Sequence, residues 1–219
     1  MIKVLPSSNP CKEDKLLDYA KSLMDLNVEY IHCDVMDGIF VENKCLDFDT
    51  LKLVRDNCNI LLDVHLMVSD VFENAKKFAT IKPNIITFHY EALKSTKEFT
   101  KTIKYLHRND ILVGLAIKPS TPIEIVTRLI TLVDLVLIMS VEPGKSGQKF
   151  IENSLEKISV TKDLIRNKDI ILEVDGGINE DNAKQIINAG ADFLVMGKAF
   201  FTSKNKKELL NKIDKHYKN

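Results

Sequence analysis

The chain has 219 residues, 45% hydrophobic and 28% charged, with 8 Gly and 6 Pro, which is enough for one full core and excludes an intrinsically disordered chain. Its 31 Lys+Arg balance 31 Asp+Glu, so the basic footprint of a nucleic-acid binder is missing, although a local cationic pocket for a small anion stays open. No apolar run approaches the ~18–20 residues of a membrane span, and the opening MIKVLPSS lacks the long apolar region of a signal peptide.

In chain order, short β-branched apolar runs fall at residues 2–5, 30–35, 60–67, 85–89, 111–117, 135–140, 170–174 and 193–196. Longer segments of helical period lie between them. Residues 15–24 place Leu16, Tyr19, Ala20 and Leu23 on one face, and residues 154–165 do the same with Leu155, Ile158, Leu164 and Ile165; this is the i, i+3, i+4 pattern of helices covering a sheet. Strands alternating with helices predict a parallel sheet. Eight such units in 219 residues match a compact (β/α)8 TIM barrel, read as one domain over residues 1–219. A doubly wound open sheet is the alternative. Against it, the first run leads into Pro6-Ser-Ser-Asn rather than Gly-x-Gly-x-x-Gly. The cysteines, Cys11, Cys33, Cys45 and Cys58, form no Cys-x-x-Cys pair, so a reduced, cytoplasmic protein is expected.

The active face of a barrel lies at the C-terminal ends of its strands. Polar residues gather there: Ser7; His32, Asp34 and Met36; His65 and Met67; His89 and Glu91; Lys118; Ser140; Asp175; Gly197 and Lys198. Residues two apart on a strand share a face, so His32 pairs with Asp34, and Asp63 with His65 and Met67. Asp175 ends the seventh run. If these faces line the interior, two imidazoles and two carboxylates converge. That set suits one divalent metal such as zinc, iron, manganese or cobalt better than magnesium or calcium. A structural ion-pair cluster would satisfy the same cost of burying carboxylates. Asp63 and Glu173 share these faces, either supporting the cluster or pairing with Lys3. Glycine-bearing loops follow the last three runs, at Val141-Glu-Pro-Gly-Lys-Ser-Gly-Gln148, Asp175-Gly-Gly177 and Gly197-Lys198. Their backbone N–H groups could cradle a phosphate, or the glycines could serve only as turn residues.

The motifs His32-Cys-Asp-Val-Met-Asp-Gly38, Asp63-Val-His-Leu-Met67, His89-Tyr-Glu91, Met139-Ser-Val-Glu-Pro-Gly144, Gly147-Gln-Lys-Phe150 and Glu173-Val-Asp-Gly-Gly-Ile178 together resemble the ribulose-phosphate 3-epimerase family, in the family's order from Pro6 to Gly197. The resemblance implies a metal-dependent enzyme that interconverts D-ribulose 5-phosphate and D-xylulose 5-phosphate at C3, in the pentose phosphate pathway of carbohydrate metabolism. By position it implies His32, Asp34, His65 and Asp175 as metal ligands, with Asp34 and Asp175 as the catalytic acid/base pair. It implies Ser7, His65, Gly144, Lys145, Ser146, Gly147, Gly176, Gly177, Gly197 and Lys198 as substrate-binding, and Met36, Met67 and Met139 as pocket-lining. Two carboxylates on opposite strands could flank a flat enediolate. The implied partners are a small phosphorylated sugar and further copies of the chain in a homo-oligomer, while charge and apolar runs leave neither nucleic acid nor membrane as an expected partner.

The chain departs from the family in its loops. Pro6-Ser-Ser-Asn-Pro10 stands for Pro-Ser-Ile-Leu-Ser, Ile39-Phe-Val-Glu-Asn43 for His-Phe-Val-Pro-Asn, Pro143-Gly-Lys-Ser-Gly-Gln148 for Pro-Gly-Phe-Gly-Gly-Gln, and Gly197-Lys198 for Gly-Ser. Lys145 and Lys198 could strengthen a phosphate contact or be solvated. The rival readings are a 3-epimerase of a six-carbon ketose phosphate such as allulose 6-phosphate, and a non-catalytic sugar-phosphate-binding barrel.

Overall fold

The apolar runs become strands and the periodic segments helices in the computed structural model, which describes residues 2–218. Along the chain these are β1 (Lys3–Pro6), α1 (Leu16–Met24), β2 (Tyr30–Asp37), β3 (Lys44–Cys45), α2 (Phe48–Asn57), β4 (Leu61–Met67), α3 (Val71–Ala79), β5 (Ile85–His89), α4 (Thr96–His107), β6 (Leu112–Ile117), α5 (Glu124–Leu129), β7 (Leu135–Met139), α6 (Ser154–Ile165), β8 (Ile171–Asp175), α7 (Glu180–Asn188), β9 (Phe193–Met196), α8 (Lys198–Thr202) and α9 (Lys206–Lys218). Parallel pairing runs β1-β9-β8-β7-β6-β5-β4-β2. The circle closes where Ser7 bridges His32 and the Ser8 N–H donates to His32 O at 2.8 Å. The result is the (β/α)8 barrel. The two-residue β3, which pairs antiparallel with Met36 and Asp37 of β2, has no signal in the apolar pattern.

Alternation along each strand divides the core in two. Outward residues such as Ile31, Cys33, Val64, Phe88, Leu115 and Val174 pack under the helices, while Leu5, Ile85, Ala116, Leu137 and Val195 fill the barrel interior. The outward set is continuous because helices cover it all round, as parallel sheets require. Helix α1 buries Leu16, Tyr19, Ala20 and Leu23, the face its period marks. Helix α6 buries Ser154, Ile158, Thr161 and Ile165 instead of centring on Leu155 and Leu164, which are only partly covered. Thr161 can sit inside because its hydroxyl donates to Lys157 O at 2.7 Å.

Within the barrel, Gly114 stands beside Thr87. A Cβ at Gly114 would lie 2.0 Å from Thr87 Oγ1, so this position has room only for hydrogen. Lys3 pairs with Glu29 at the opposite end of the barrel from the polar cluster, not with Asp63 or Glu173.

Candidate active site

Strand register assembles the cluster. In the β2–β4 ladder His32 faces Asp63 and Asp34 faces His65, and β7 sets Met139 against Asp175 of β8. His32 Nδ1 lies 2.6 Å from Asp63 Oδ2. An ionised carboxylate only accepts, so Nδ1 carries the proton donated to Asp63, and Nε2 faces the centre. There His32 Nε2 and His65 Nδ1 approach to 3.3 Å, with Asp34 Oδ1 at 3.4 Å from the first and 3.2 Å from the second. Asp175 Oδ2 is 4.0 Å from His32 Nε2. Donor atoms of His32, Asp34, His65 and Asp175 all fall within 4.8 Å of one another. Two imidazole nitrogens crowded against each other and two carboxylates form a donor set that could hold one divalent cation.

The charges divide sharply. Burial opposes ionisation of Asp34, but the charge of His32 and its hydrogen bond outweigh it and hold the carboxyl below its usual range. Burial and then the charge of Asp34 push Asp175 up to about 6, with His32 pulling the other way. Burial works against a charged His32, yet Asp63 and Asp34 raise its pKa well above the ordinary imidazole value. Glu173, beneath the cluster and 3.5 Å from His32 Nδ1, is raised by burial and by Asp63. Both of its oxygens and Asp63 Oδ1 have no hydrogen-bond partner among the described residues. Asp63 and Glu173 thus join the imidazole side of the cluster.

Above the cluster opens a cavity of about 330 Å³. Asp34 and Asp175 meet its floor, and Met36, Met67 and Met139 line its wall. Ser7, Gly144, Lys145, Ser146, Gly147, Gly176, Gly177, Gly197 and Lys198 also border it. His32 and His65 are fully buried below that floor. Ser7 Oγ donates to Asp34 Oδ2 at 2.8 Å and fixes the carboxylate plane. Ser140 Oγ donates to the carbonyls of Asp175, at 2.9 Å, and Gly176, at 2.7 Å, holding the end of β8. Gly177 adopts φ +65°, and a Cβ there would come within 2.3 Å of Phe150 N, so two cavity loops touch backbone to backbone. Asp37 accepts from the N–H groups of Ile39, Phe40 and Ser69 and anchors the loop after β2. Lys145 Nζ lies 3.3 Å from Glu42 and Asn43 Nδ2 donates to Gly144 O at 2.7 Å, tying that loop to the one after β7.

Sequence reasoning gave no role to His89 and Glu91. His89 is fully buried, 2.9 Å from His65 Nε2 through Nε2 and 3.1 Å from Glu91 through Nδ1. Burial lowers its pKa to about 4 despite Glu91. Burial opposes a charged Glu91, but hydrogen bonds from His89, Thr121 and the Lys118 N–H bring it down to about 2. Inward parity shared with Thr87 on β5 was the signal that could have placed His89 in the cluster.

A family model described as the ribulose-phosphate 3 epimerase family matches residues 3–201. The ribulose-phosphate 3-epimerase of Buchnera aphidicola subsp. Baizongia pistaciae is 41% identical over 197 residues, 88% of this chain and 83% of that one. That of Bacillus subtilis is 35% identical over 216 residues, covering 97% and 98%. Among solved structures, 3-hexulose-6-phosphate synthase from Salmonella typhimurium superposes with a TM-score of 0.74 at 13% identity, covering 99% of this chain and 98% of that one. KGPDC from Streptococcus mutans gives 0.71, at 12% identity over 100% and 98%. These structural likenesses bear on the barrel alone.

Proposed function

The chain belongs to the ribulose-phosphate 3-epimerase family, and on that premise we propose that it interconverts D-ribulose 5-phosphate and D-xylulose 5-phosphate with Asp34 and Asp175 as its acid/base pair. The observation that carries this is the pair of carboxylates at one cavity floor, from strands with β9 and β1 between them. They are not diametrically opposite, but they reach the floor from separate walls, so a flat sugar backbone could lie between them. Inverting C3 requires removal of a proton from one face of the carbon and its return on the other. Asp34, held ionised, is suited to accept the proton; Asp175, which keeps a proton more readily, is suited to give one. The reverse reaction exchanges the roles. Ser7 steadies Asp34, and Ser140 steadies the chain at Asp175.

His32, Asp34, His65 and Asp175 would hold one divalent cation of the zinc, iron, manganese or cobalt type. It would supply Lewis-acid stabilisation of the negative charge that develops as C3 loses its proton. Met36, Met67 and Met139 exclude water beside the reacting carbon. The loops bearing Gly144, Ser146, Gly147, Gly176, Gly177 and Gly197 offer N–H groups to the substrate phosphate. Lys198, on the cavity rim, is read as adding a charge-assisted contact. Lys198→Ala is therefore expected to raise KM by roughly 10-fold and leave kcat unchanged; steady-state kinetics checks this, and an unaltered KM would make Lys198 a solvated surface residue. Lys145 already faces Glu42 and is assigned to loop tethering instead.

The deciding experiment is a coupled assay that follows D-xylulose 5-phosphate formed from D-ribulose 5-phosphate, before and after chelation and metal restoration. Turnover lost on chelation and regained with a divalent metal supports the reading. Metal-loaded protein that turns over only a six-carbon ketose phosphate, or nothing, overturns it.

A pH dependence follows from the same groups. In the metal-free chain His32 holds a proton at neutral pH, and Asp175 takes one up as pH falls through about 6. Both protons oppose a cation. Metal affinity should fall as pH drops through that range, and binding at neutral pH should release at least one proton. Calorimetry in buffers of different ionisation enthalpy measures this; affinity flat between pH 5 and 7 would contradict it.

A further inference from the structure

The motif His89-Tyr-Glu91 takes no part in the reaction as read above, yet it begins with the barrel's third buried imidazole. Its hydrogen bonds can be followed proton by proton. Glu91 Oε1 accepts from the Lys118 N–H at 2.8 Å and from the Thr121 hydroxyl. Lys157 Nζ pins the same turn, donating to the carbonyls of Lys118 at 3.2 Å, Pro119 at 2.6 Å and Thr121 at 2.8 Å. Glu91 Oε2 then faces His89 Nδ1 at 3.1 Å. A carboxylate has no proton to give, so the N–H is on His89 Nδ1 and its Nε2 presents a lone pair. The 2.9 Å contact from His89 Nε2 to His65 Nε2 needs one proton between two nitrogens, and only His65 is left to supply it. A neutral His65 protonated at Nε2 has a bare Nδ1, the atom facing Asp34 Oδ1 at 3.2 Å and His32 Nε2 at 3.3 Å.

We propose that Glu91 and His89 are positioning residues that hold His65 in its Nε2–H tautomer and so turn its Nδ1 lone pair toward the cluster centre. The arrangement mirrors the other side, where Asp63 holds the proton of His32 on Nδ1 and leaves Nε2 facing inward. Each inward nitrogen is set by a carboxylate at the outer end of its chain: one imidazole away for His32, two for His65. Such outer partners typically change metal affinity by ~10–100-fold. The inference rests on reading His65 as a ligand, but the tautomer itself is measurable without any metal.

The test is nitrogen-15 NMR of the histidines in the full-length, chelated protein, followed by zinc titration. In the wild-type chain His65 should be protonated at Nε2 and bare at Nδ1, and His89 the reverse. His89→Phe keeps a ring beside Phe40, which packs 5.0 Å from His89, but removes the acceptor. In that variant His65 should populate both tautomers and zinc affinity should fall ~10–100-fold. A wild-type His65 protonated at Nδ1 overturns the proposal, whatever the variant does. So does a folded His89→Phe protein with unchanged tautomer and unchanged zinc affinity. Failure of the wild-type chain to bind zinc would sink the cation reading instead, leaving the wild-type tautomers to decide this one.

Discussion

Asp34→Asn and Asp175→Asn are each expected to lower kcat for epimerisation by ~10³-fold or more, while leaving half of the proton chemistry intact. In the proposed reaction each carboxylate serves one face of C3. An amide in its place keeps a ligating oxygen and nearly the same shape but cannot carry the proton. The remaining carboxylate can still remove and return the C3 proton of whichever epimer presents that proton to it. In deuterated water at saturating metal, one variant should therefore wash out the C3 hydrogen of D-ribulose 5-phosphate only, and the other that of D-xylulose 5-phosphate only. Wild-type protein should exchange both. Two variants that exchange the same epimer, or either one that still epimerises at an appreciable rate, would remove the two-face assignment. Loss of a structural ion pair would leave no such complementary pattern.

Gly114→Ala is expected to destabilise the barrel by about 2–3 kcal/mol, the upper part of the usual cost of overpacking. The added Cβ would fall 2.0 Å from Thr87 Oγ1 and 2.8 Å from Thr87 Cβ. Thr87 cannot swing away, because it is fully buried between β4 and β6. Its hydroxyl has no hydrogen-bond partner among the described residues, so Thr87→Ala loses little beyond a small volume. The double variant should recover most of the stability, giving a coupling of at least ~1 kcal/mol between neighbours that share one space. Denaturant midpoints of the four proteins measure this. A Gly114→Ala midpoint equal to wild type would mean that the interior is looser than these distances require. Thr87 also pairs with His65 in the β4–β5 ladder, so the single variant should bind metal more weakly.

The barrel was legible because strand and helix carry different periods, and because a sheet covered on its whole outer face concentrates β-branched residues. The four cluster residues were legible because parity along a strand is strict: His32 with Asp34, and His65 two after Asp63. Besides the two-residue β3, three things were not. Helix α6 hides half its buried face in Ser154 and Thr161, which hydropathy counts as polar, although Thr161 satisfies its hydroxyl within the helix. Whether Asp63 supports the cluster or pairs with Lys3 could not be decided, because that choice depends on depth along the barrel axis and parity reports only direction. The chain from Glu91 through His89 to His65 is anchored at Glu91 by a turn 27 residues further on, at Lys118, and no local pattern reports such a contact.

The way the barrel closes also bears on how it should fail. The ring between β1 and β2 is joined at the cavity end by the Ser7–His32 bridge and the hydrogen bonds of Ser8 with His32 O and the Asp34 N–H, and at the other end by the Lys3–Glu29 ion pair. Those same few residues carry the hydroxyl that orients Asp34 and the backbone of a cluster imidazole. The weakest seam of the ring therefore runs through its working parts. On warming, parting of that seam would release Ser7 from Asp34 while the remaining ladders stay zipped. Catalytic output should fade several degrees before helical content does, and the protein would act as its own thermal fuse.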